Sequence, residues 1–582
     1  MLDNQDGVSL APQGTAGAPR APGLSRRNFI SGIGAGAGAA LVAGAGGAAA
    51  LVKAKSGTAG DAAPDAADAA GTGRRQQAFA LRRDTARAEF ALVPPPQTAN
   101  GDEQRYPNHI GNYSKGLPHN AFGEVDEDAW QSLMRAVTTG APADFEAVKL
   151  GGGRPLTDPQ SGLAFDLEGA DAFAFTIPPA PALASAQEAG EMVELYWMAL
   201  LRDVNFTDYA TDPSVAAACA DLNALSDFRG PRAGGLVTPQ TLFRDRVAGG
   251  TVGPYMSQFM WLPTPFGAEF VDRHLHTYLP DTDQMTDFAD WLVVQNGGPP
   301  PGALSFDEQR RYLRNGRDLA AWVRMDILFQ AYFNACLVMI MPPTTDVESS
   351  GLGCPLNPSN PYIHSRTQTG FGTFGSPWAA GLVTEVATRA LKATWRQKWF
   401  VHRRLRPEEF GGLVHVQKTA NRYPGTLHAD VLDSPVLDRI GSRFGSLLHP
   451  QAFPEGCPTH PSYTAGHATV AGACVTVLKA IFDESFVIQN PVEPTPDGLS
   501  LVPYQGAALT VGGELNKLAS NIATGRNIAG VHWRSDAAVS LALGEQVAIH
   551  FLTDLKNTYN EARDRFFPGF SFTTFDGRRV TI

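Results

Sequence analysis

An arginine, a histidine and an aspartate follow one another along residues 525–536 at a spacing that suits the binding of an anion. Arg526 precedes His532 by six residues, and Asp536 follows that histidine by four. An arginine guanidinium forms two parallel hydrogen bonds to the oxygens of an oxyanion. Residues four apart share one face of a helix, so Asp536 is placed to hold one ring nitrogen of His532 and leave the other available. A solvated aspartate or a salt bridge is the alternative for Asp536.

Two further clusters of basic residues lie earlier in the chain. Residues 398–407 read Lys-Trp-Phe-Val-His-Arg-Arg-Leu-Arg-Pro, and residues 460–467 read His-Pro-Ser-Tyr-Thr-Ala-Gly-His. Together with the third cluster they supply a lysine, two arginines and two histidines, a set able to surround a tetrahedral oxyanion. One histidine can bond the central atom of such an anion while another moves protons. Taken singly, each of these side chains would be a surface cation or a structural histidine.

The three clusters, in this order, resemble the motifs of the vanadium-dependent haloperoxidases, which share a fold and an anion site with the type 2 phosphatidic acid phosphatases. The resemblance includes residues 100–103, 113–120 and 123–125, and it covers nearly all of the chain after about residue 85. Lys398 and Arg406 are eight positions apart, as in the algal-type bromoperoxidases, whereas the phosphatases have seven. A histidine seven positions before the acid-base histidine, here at 460, is a second algal-type feature. The resemblance therefore favours a haloperoxidase.

The resemblance implies a role for each residue of the clusters. His532 would bond vanadium, and Asp536 would orient its ring. The residues expected to bind vanadate through hydrogen bonds or charge are Lys398, Arg406, Gly466, His467 and Arg526. His467 stands where the family has its acid-base histidine, and Lys398 would also activate peroxide. His460 would modulate the pKa of His467 or position halide, with a plain packing role as the alternative. Arg403 and Arg404 are expected to be structural or solvated.

One position departs from the family pattern. The family reads Pro-Ser-Gly-His where this chain reads Thr464-Ala465-Gly466-His467, so Ala465 replaces a serine whose hydroxyl would donate a hydrogen bond to vanadate. A hydrogen bond to a charged group contributes about 1.5–3 kcal/mol, so the loss predicts cofactor binding weaker by about tenfold or more. A helix that begins near Gly466 offers backbone N–H groups and positive potential that compensate in part.

The function implied is a vanadate-dependent haloperoxidase that oxidises bromide or chloride with hydrogen peroxide and halogenates a small organic substrate. Vanadium would act as a Lewis acid, so neither haem nor flavin is expected. A phosphatase using the same pocket is the alternative, with His532 attacking phosphorus and His467 protonating the leaving group. A redox-silent relative used in natural-product assembly is a third hypothesis, supported only by Ala465. The resemblance also implies a homo-oligomer.

Composition argues against several other classes of protein. The chain has 582 residues, of which 43% are hydrophobic and 18% charged, as in ordinary globular proteins. Its formal net charge of −11 argues against a nucleic-acid partner and against stable association with an anionic membrane. Five cysteines without a CxxC pair argue against a thiolate zinc site and leave at least one thiol free, with room for one disulfide.

The amino terminus has the pattern of a targeting segment. Residues 25–30, Ser-Arg-Arg-Asn-Phe-Ile, form a twin-arginine signature, and a weakly apolar Gly/Ala-rich run follows. We expect residues 1–52 to be a twin-arginine signal that exports the folded protein to the periplasm, the cell wall or the medium; a membrane anchor is the alternative. Residues 53–84 are expected to be a low-complexity linker, and residues 85–582 the catalytic domain.

The periodicity of the remaining chain predicts a mostly α fold. A capping box at residues 305–308 predicts one helix start, and Ser-Pro at 376–377 predicts another. Apolar residues at helical spacing predict further helices from His467, around residues 515–522 and from His532. The family resemblance implies that the helices form two four-helix bundles, where side chains from facing helices converge on a ligand. Pro/Gly-rich stretches predict loops with short hairpins at 229–265, 294–303 and 341–377.

Overall fold

The fold is mostly helical, as the periodicity predicts. The computed structural model describes residues 66–345 and 350–582. The predicted twin-arginine signal and residues 53–65 of the predicted linker lie outside the described residues. By its contacts the described chain divides into a large unit, residues 88–582, and a segment that ends at Arg87.

The predicted linker is helical where it is described. Its residues from Ala66 on belong to helix α1 (Ala66–Ala91). None of the described side chains of α1 is buried. Alanine, glutamine and arginine have high intrinsic helix propensity, which accounts for a local helix in a segment that adds nothing to the core. The part of the low-complexity linker that is described is therefore helical from residue 66 on.

Helices supply most of the regular structure between residues 102 and 582. The first of them are α2 (Asp102–Arg105), α3 (Glu127–Thr139), α4 (Pro142–Glu146), α5 (Ala186–Leu200), α6 (Pro213–Ala224), α7 (Phe288–Gln295) and α8 (Gly316–Met325). The later ones are α9 (Gln330–Ile340), α10 (Ser376–Gln397), α11 (Pro407–Ala420), α12 (Ala429–Leu432), α13 (Val436–Phe444), α14 (Gly466–Ile481), α15 (Val511–Ile528) and α16 (Arg534–Thr558).

The strands in the described chain form three short antiparallel hairpins. They are β1 (Thr264–Phe266) with β2 (Glu269–Val271), β3 (Val492–Pro494) with β4 (Leu501–Pro503), and β5 (Ser571–Thr573) with β6 (Arg579–Thr581). The first hairpin begins at the end of the loop predicted over residues 229–265. These hairpins lie between or after helices, and Phe572 of β5 packs into the main hydrophobic core.

Four helices form the central bundle. Helix α14 lies at its centre with every residue buried, and it packs against α10, α15 and α16. Glycine allows α14 and α16 to cross closely. A Cβ atom on Gly472 would lie 2.2 Å from the carbonyl oxygen of Leu541, and one on Gly544 would lie 2.0 Å from that of Thr469. Backbones this close hold the N-terminus of α14 and the start of α16 in a fixed relation.

A second group of helices packs around α5, which contacts α6, α11, α12 and α13. Helix α5 carries three glutamates, Glu188, Glu191 and Glu194, and all three are buried. A buried carboxylate is costly unless a cation pairs with it. The partners of these glutamates are arginines beside the clusters described below, so α5 joins the two groups of helices through charge.

The predicted helix starts are confirmed in three places and wrong in one. Helix α10 begins at Ser376 with Pro377 in its first turn, and α14 begins at Gly466. Helix α16 begins at Arg534, two residues after His532. The capping box at 305–308 starts no helix. Helix α8 begins eleven residues later, where the Asn315 side chain accepts a hydrogen bond from Asp318 N at 2.9 Å.

The five cysteines are free thiols, and each one is buried. Among the described helices none is, by itself, long and apolar enough to span a membrane. Helices α8 and α9 meet that test only as a pair, and they are bent by 97° at the break between them.

Candidate active site

The three basic clusters fall at helix ends around the central bundle. Lys398 opens a π-helical turn (Lys398–His402) that extends α10. The backbone then reverses at Arg403, whose φ is 40°, and Arg406 becomes the residue that caps α11. Because Pro407 fits the first turn of a helix and disfavours helical conformation in the residue before it, the Arg-Pro pair sets this boundary.

The third cluster spans the turn between α15 and α16. Arg526 lies in the last turn of α15, and Gly530 has a left-handed φ of 92°. A Cβ atom on Gly530 would lie 2.7 Å from Gln451 Nε2 and 2.8 Å from His449 Cε1, so only glycine fits this turn. The turn carries the chain from the arginine back to His532.

His532 is buried, and its hydrogen bonds define which ring nitrogen carries the proton. Its Nδ1 lies 2.8 Å from Asp536 Oδ2, so the ring donates Nδ1–H to the carboxylate. The basic Nε2 then faces Arg406, whose Nη1 lies at 3.1 Å and donates to it. Asp536 thereby fixes the tautomer in which Nε2 carries a lone pair, which is the form that bonds a metal.

Asp536 is held by a set of donors that the sequence did not predict. Its Oδ2 accepts from Ser462 Oγ at 2.5 Å and from Trp533 N at 3.2 Å, and its Oδ1 accepts from Arg404 Nη1 at 2.7 Å. Arg404 also pairs with Glu188 on α5. The arginine, considered structural or solvated, is structural: it is fully buried and fixes the carboxylate that orients His532.

Three cations lie near His532, and all are buried: Lys398, Arg406 and Arg526. Lys398 Nζ donates to the carbonyl oxygens of Pro461 at 2.6 Å and Ser462 at 3.0 Å. Arg526 Nη1 donates to the carbonyl of Val323 at 2.8 Å. Carbonyl oxygens thus orient these two side chains.

Arg406 is a buried cation that can bind an anion. Its guanidinium donates to the carbonyls of His460 at 2.9 Å and Val531 at 2.6 Å, and to the rings of His460 and His532. Within the part of the chain that the structure describes, no carboxylate pairs with this guanidinium. A buried charge without a counterion is costly, so the site favours a bound anion.

The electrostatic environment keeps His532 neutral. Burial is the first cause of its pKa, which lies well below the ordinary value for histidine. The charged and basic neighbours that lower the pKa further are Arg406, Lys398, Arg526 and His460. Residues from all three clusters thus contribute to the electrostatic environment of one histidine. A neutral imidazole in a positive field can bond an electrophilic centre without first losing a proton.

His460 lies against Arg406. Its Nδ1 is 2.8 Å from Arg406 Nη2, and its ring packs at 4.9 Å from that of Trp395. These contacts give His460 both a packing role and a place in the anion site, since it holds the guanidinium that faces His532.

His467 has a carboxylate partner that sequence reasoning missed. Its Nε2 lies 2.9 Å from Asp326 Oδ1, and both side chains are buried. Donation of Nε2–H to Asp326 leaves Nδ1 as the basic nitrogen of the ring. Asp326 is 141 residues away and just follows α8, so no local spacing links it to His467; only the folded chain does.

The segment before His467 has Ala465 where the family has a serine. Ala465 is buried, and its backbone N donates to Ser540 Oγ at 2.8 Å. Gly466 is the first residue of α14, which puts the positive end of the helix at the site. Thr464 is fully buried, and its hydroxyl has no hydrogen-bond partner among the residues that the structure describes.

Residues 113–120, for which no role was predicted, help to position Arg406 through Glu409. Backbone N–H groups of Ser114 and Lys115 donate to Glu409 Oε1 at 2.9 and 3.1 Å. Glu409 Oε2 accepts from Arg406 N at 2.7 Å, and Lys115 Nζ pairs with Glu408 Oε2 at 2.8 Å. Burial raises the pKa of Glu409 to about 7. The motif thus fixes the first turn of α11, where the arginine begins.

The fold and the site define a helical protein with a buried cationic pocket built around one neutral histidine. A family model described as the second helical-bundle domain of VCPO matches residues 382–561, which contain all three clusters. Vanadium-dependent bromoperoxidases from Corallina pilulifera and Corallina officinalis are each 36% identical to this chain. The matches cover 84% and 88% of this chain, and 95% and 98% of those relatives.

A solved structure supports the same assignment. The second vanadate-dependent bromoperoxidase of Ascophyllum nodosum, a homohexamer, has a TM-score of 0.81 and 32% identity to this chain. That match covers 87% of this chain and 90% of the algal chain. This chain belongs to the vanadium-dependent haloperoxidase family, and the interpretation of its sequence as an algal-type member is confirmed.

Proposed function

We propose that this protein is a vanadate-dependent haloperoxidase that uses hydrogen peroxide to oxidise bromide. The observation that carries the proposal is His532, whose Nδ1 is held by Asp536 while Nε2 faces Arg406 among buried cations. The relatives named bromoperoxidases, which match nearly the full catalytic region, support bromide as the halide.

The residues of the pocket fit vanadate. Buried cations with carbonyl and imidazole partners suit a small oxyanion, and a lone-pair nitrogen on His532 suits a bond to its central atom. Lys398, Arg406 and Arg526 would hold the oxygens, and Gly466 would add a backbone N–H at the positive end of α14. When bound, vanadate supplies Lewis-acid activation of peroxide without a change in its own oxidation state.

Residues of the chain would transfer the protons and stabilise the charge that develops in the reaction. His467 would take a proton from hydrogen peroxide at Nδ1, because Asp326 holds Nε2–H. Lys398 would stabilise the negative charge that develops on peroxide oxygen as the O–O bond breaks. In the overall reaction bromide loses two electrons and takes one peroxide oxygen to give hypobromous acid. The other oxygen leaves as water after one further proton is taken up.

Bromination of monochlorodimedone tests the proposal directly. Apo-protein loaded with orthovanadate should consume monochlorodimedone in the presence of bromide and peroxide, and His532→Gln should abolish turnover. His550→Gln, at an exposed position in α16, is the matched control and should retain activity. Absence of bromination by vanadate-loaded protein would refute the proposal. Vanadate-sensitive hydrolysis of p-nitrophenyl phosphate without halide turnover would instead favour the phosphatase.

Self-association is a further part of the proposed function. The hexameric assembly of the algal relative supports it, as do large apolar side chains that the folded chain leaves in solvent. Phe165 and Leu167 are 82% and 97% exposed, and Phe90 and Val93 are 93% and 87% exposed. Exposed apolar side chains of this size are typical of interfaces. Light scattering should detect an oligomer that Phe165→Asp with Leu167→Asp makes smaller; a monomeric wild type would contradict this.

Export by the twin-arginine route also belongs to the proposal. Its support is the signature at residues 25–30 and the weakly apolar run after it. Replacement of Arg26 and Arg27 by lysine should keep the protein in the cytoplasm of a bacterial host that has the twin-arginine machinery. Unchanged export of that variant would contradict this route.

A further inference from the structure

The segment between His460 and His467 forms several hydrogen bonds to residues of the anion site. The carbonyls of Pro461 and Ser462 accept from Lys398 Nζ at 2.6 and 3.0 Å. The Ser462 hydroxyl donates to the carboxylate that orients His532, and the backbone N of Ala465 donates to a hydroxyl on α16. Each of these bonds positions a residue of the anion site.

Thr464 belongs to the same segment and differs from these residues. Its side chain is fully buried, and its hydroxyl has no partner among the described residues. Buried hydroxyls in folded proteins nearly always have a hydrogen-bond partner, and a buried donor without one destabilises the fold. Such a group at a binding site is explained most simply by a ligand that supplies the acceptor.

The place of Thr464 in the sequence indicates which ligand would supply the acceptor. Thr464 directly precedes Ala465, which stands where the family pattern has the serine that donates to vanadate. The chain thus lacks a hydroxyl at one position and has an unsatisfied buried hydroxyl at the next. We propose that the Thr464 hydroxyl donates the hydrogen bond to a vanadate oxygen that the serine donates in the family. This assignment rests on the proposed function, since it concerns the same anion site.

Thr464→Val separates this assignment from a structural role. Valine keeps the shape of threonine and removes the hydroxyl. Titration of apo-protein with orthovanadate, followed by calorimetry, should give a Kd raised about tenfold or more, because a hydrogen bond to a charged oxygen is lost. The melting temperature of the apo-protein should stay the same or rise, because an unsatisfied buried donor is gone. A bond within the protein would make it fall.

Two further variants control the measurement. Thr476 is also buried, in α14, but its hydroxyl donates to the carbonyl of Gly472 at 2.7 Å. Thr476→Val should therefore leave the Kd for vanadate unchanged. Ala465→Ser in the Thr464→Val background should restore affinity, because it returns a hydroxyl to the family's position.

The outcomes distinguish this assignment from the proposed function. Tight vanadate binding by wild type with the same Kd for Thr464→Val would overturn the role of Thr464 and leave the haloperoxidase proposal standing. A lowered melting temperature of apo Thr464→Val at unchanged Kd would show a structural hydroxyl and overturn it too. Wild-type protein that binds no vanadate would overturn both.

Discussion

Asp536→Asn is the substitution that tests most sharply how the protein prepares His532. The carboxylate accepts from His532 Nδ1 at 2.8 Å, Ser462 Oγ at 2.5 Å and Trp533 N at 3.2 Å through one oxygen, and from Arg404 through the other. An asparagine side chain has one acceptor oxygen and one NH2 group. Its NH2 group must therefore face donors from which the aspartate oxygen had accepted hydrogen bonds. If the oxygen keeps Arg404, the amide N–H faces His532.

The imidazole can accommodate that amide only by changing its tautomer. His532 Nδ1 would become the acceptor, and the ring proton would move to Nε2, where it blocks a bond to a metal. Loss of a residue that orients a metal-ligating histidine costs about tenfold to hundredfold in affinity, so the Kd for vanadate should rise by that factor. The imidazole nitrogen-15 shifts should report the exchanged tautomer.

The stability of the variant follows from what remains of the charge network. Removal of one partner from a buried ion pair costs about 3–5 kcal/mol when the other charge is stranded. Arg404 keeps Glu188 and Glu191, with Glu191 Oε2 at 3.4 Å, so we expect a smaller loss of about 2–3 kcal/mol. Thermal and urea unfolding of the apo-protein would measure it.

A second buried aspartate, away from the anion site, separates the effect on vanadate affinity from the effect on stability. Asp221 accepts from Trp197 Nε1 and Ser434 Oγ, each at 2.7 Å, and touches no residue of the anion site. Asp221→Asn should lower stability and leave the Kd for vanadate unchanged. If Asp536→Asn binds vanadate within about threefold of wild type, the proposed preparation of His532 by its aspartate is refuted.

Three further predictions concern groups that the fold brings together. Asp326→Asn should lower the kcat for bromination by about tenfold to hundredfold with little change in vanadate affinity, because it removes the charge beside His467 Nε2; an unchanged kcat would contradict the proton role. Burial, and then neighbouring arginines, lower the pKa of His402 to about 3, so this ring stays neutral in the folded protein while the unfolded chain binds a proton below about pH 6.5. The contribution of neutral His402 to the free energy of unfolding is therefore fully present above about pH 6.5 and is lost as the pH falls. Between pH 7.5 and pH 5, urea unfolding should show that the free energy of unfolding of His402→Phe falls by about 2 kcal/mol less than that of wild type. Asn315→Ala should destabilise by about 1 kcal/mol through the lost cap of α8, whereas Ser305→Ala should have no measurable effect; the reverse order would contradict the observed helix start.

Local patterns predicted the helices that hold the site. Proline at 377, glycine at 466 and apolar residues at helical spacing mark the starts of helices because they act through the neighbouring backbone. The capping box at 305–308 failed because a distant segment binds these residues: the Ser305 carbonyl accepts from Leu279 N, and Phe306 forms an antiparallel bridge with Tyr278. Helix α8 begins only after Asn315. A local signal cannot report such a distant partner.

The candidate site was predictable where the chemistry lies within a short motif. The sequence clusters predicted four site residues: Lys398, Arg406, Arg526 and His532. In the fold, the three cations lower the pKa of His532. The partners that tune them come from elsewhere, since Asp326 is 141 residues from His467 and Glu188 is 216 residues from Arg404. No spacing rule covers such separations, which arise from how α5 and α8 pack.

A crystal structure of the protein soaked in orthovanadate would show whether the anion binds to His532. We expect vanadium about 2.1 Å from His532 Nε2, a usual length for a bond between a metal and histidine. Arg406 Nη1, which donates to that nitrogen at 3.1 Å, should turn to an oxygen of the anion, with Lys398 and Arg526 also within hydrogen-bond reach. An anion bound away from His532, or one that leaves Arg406 on Nε2, would contradict the account.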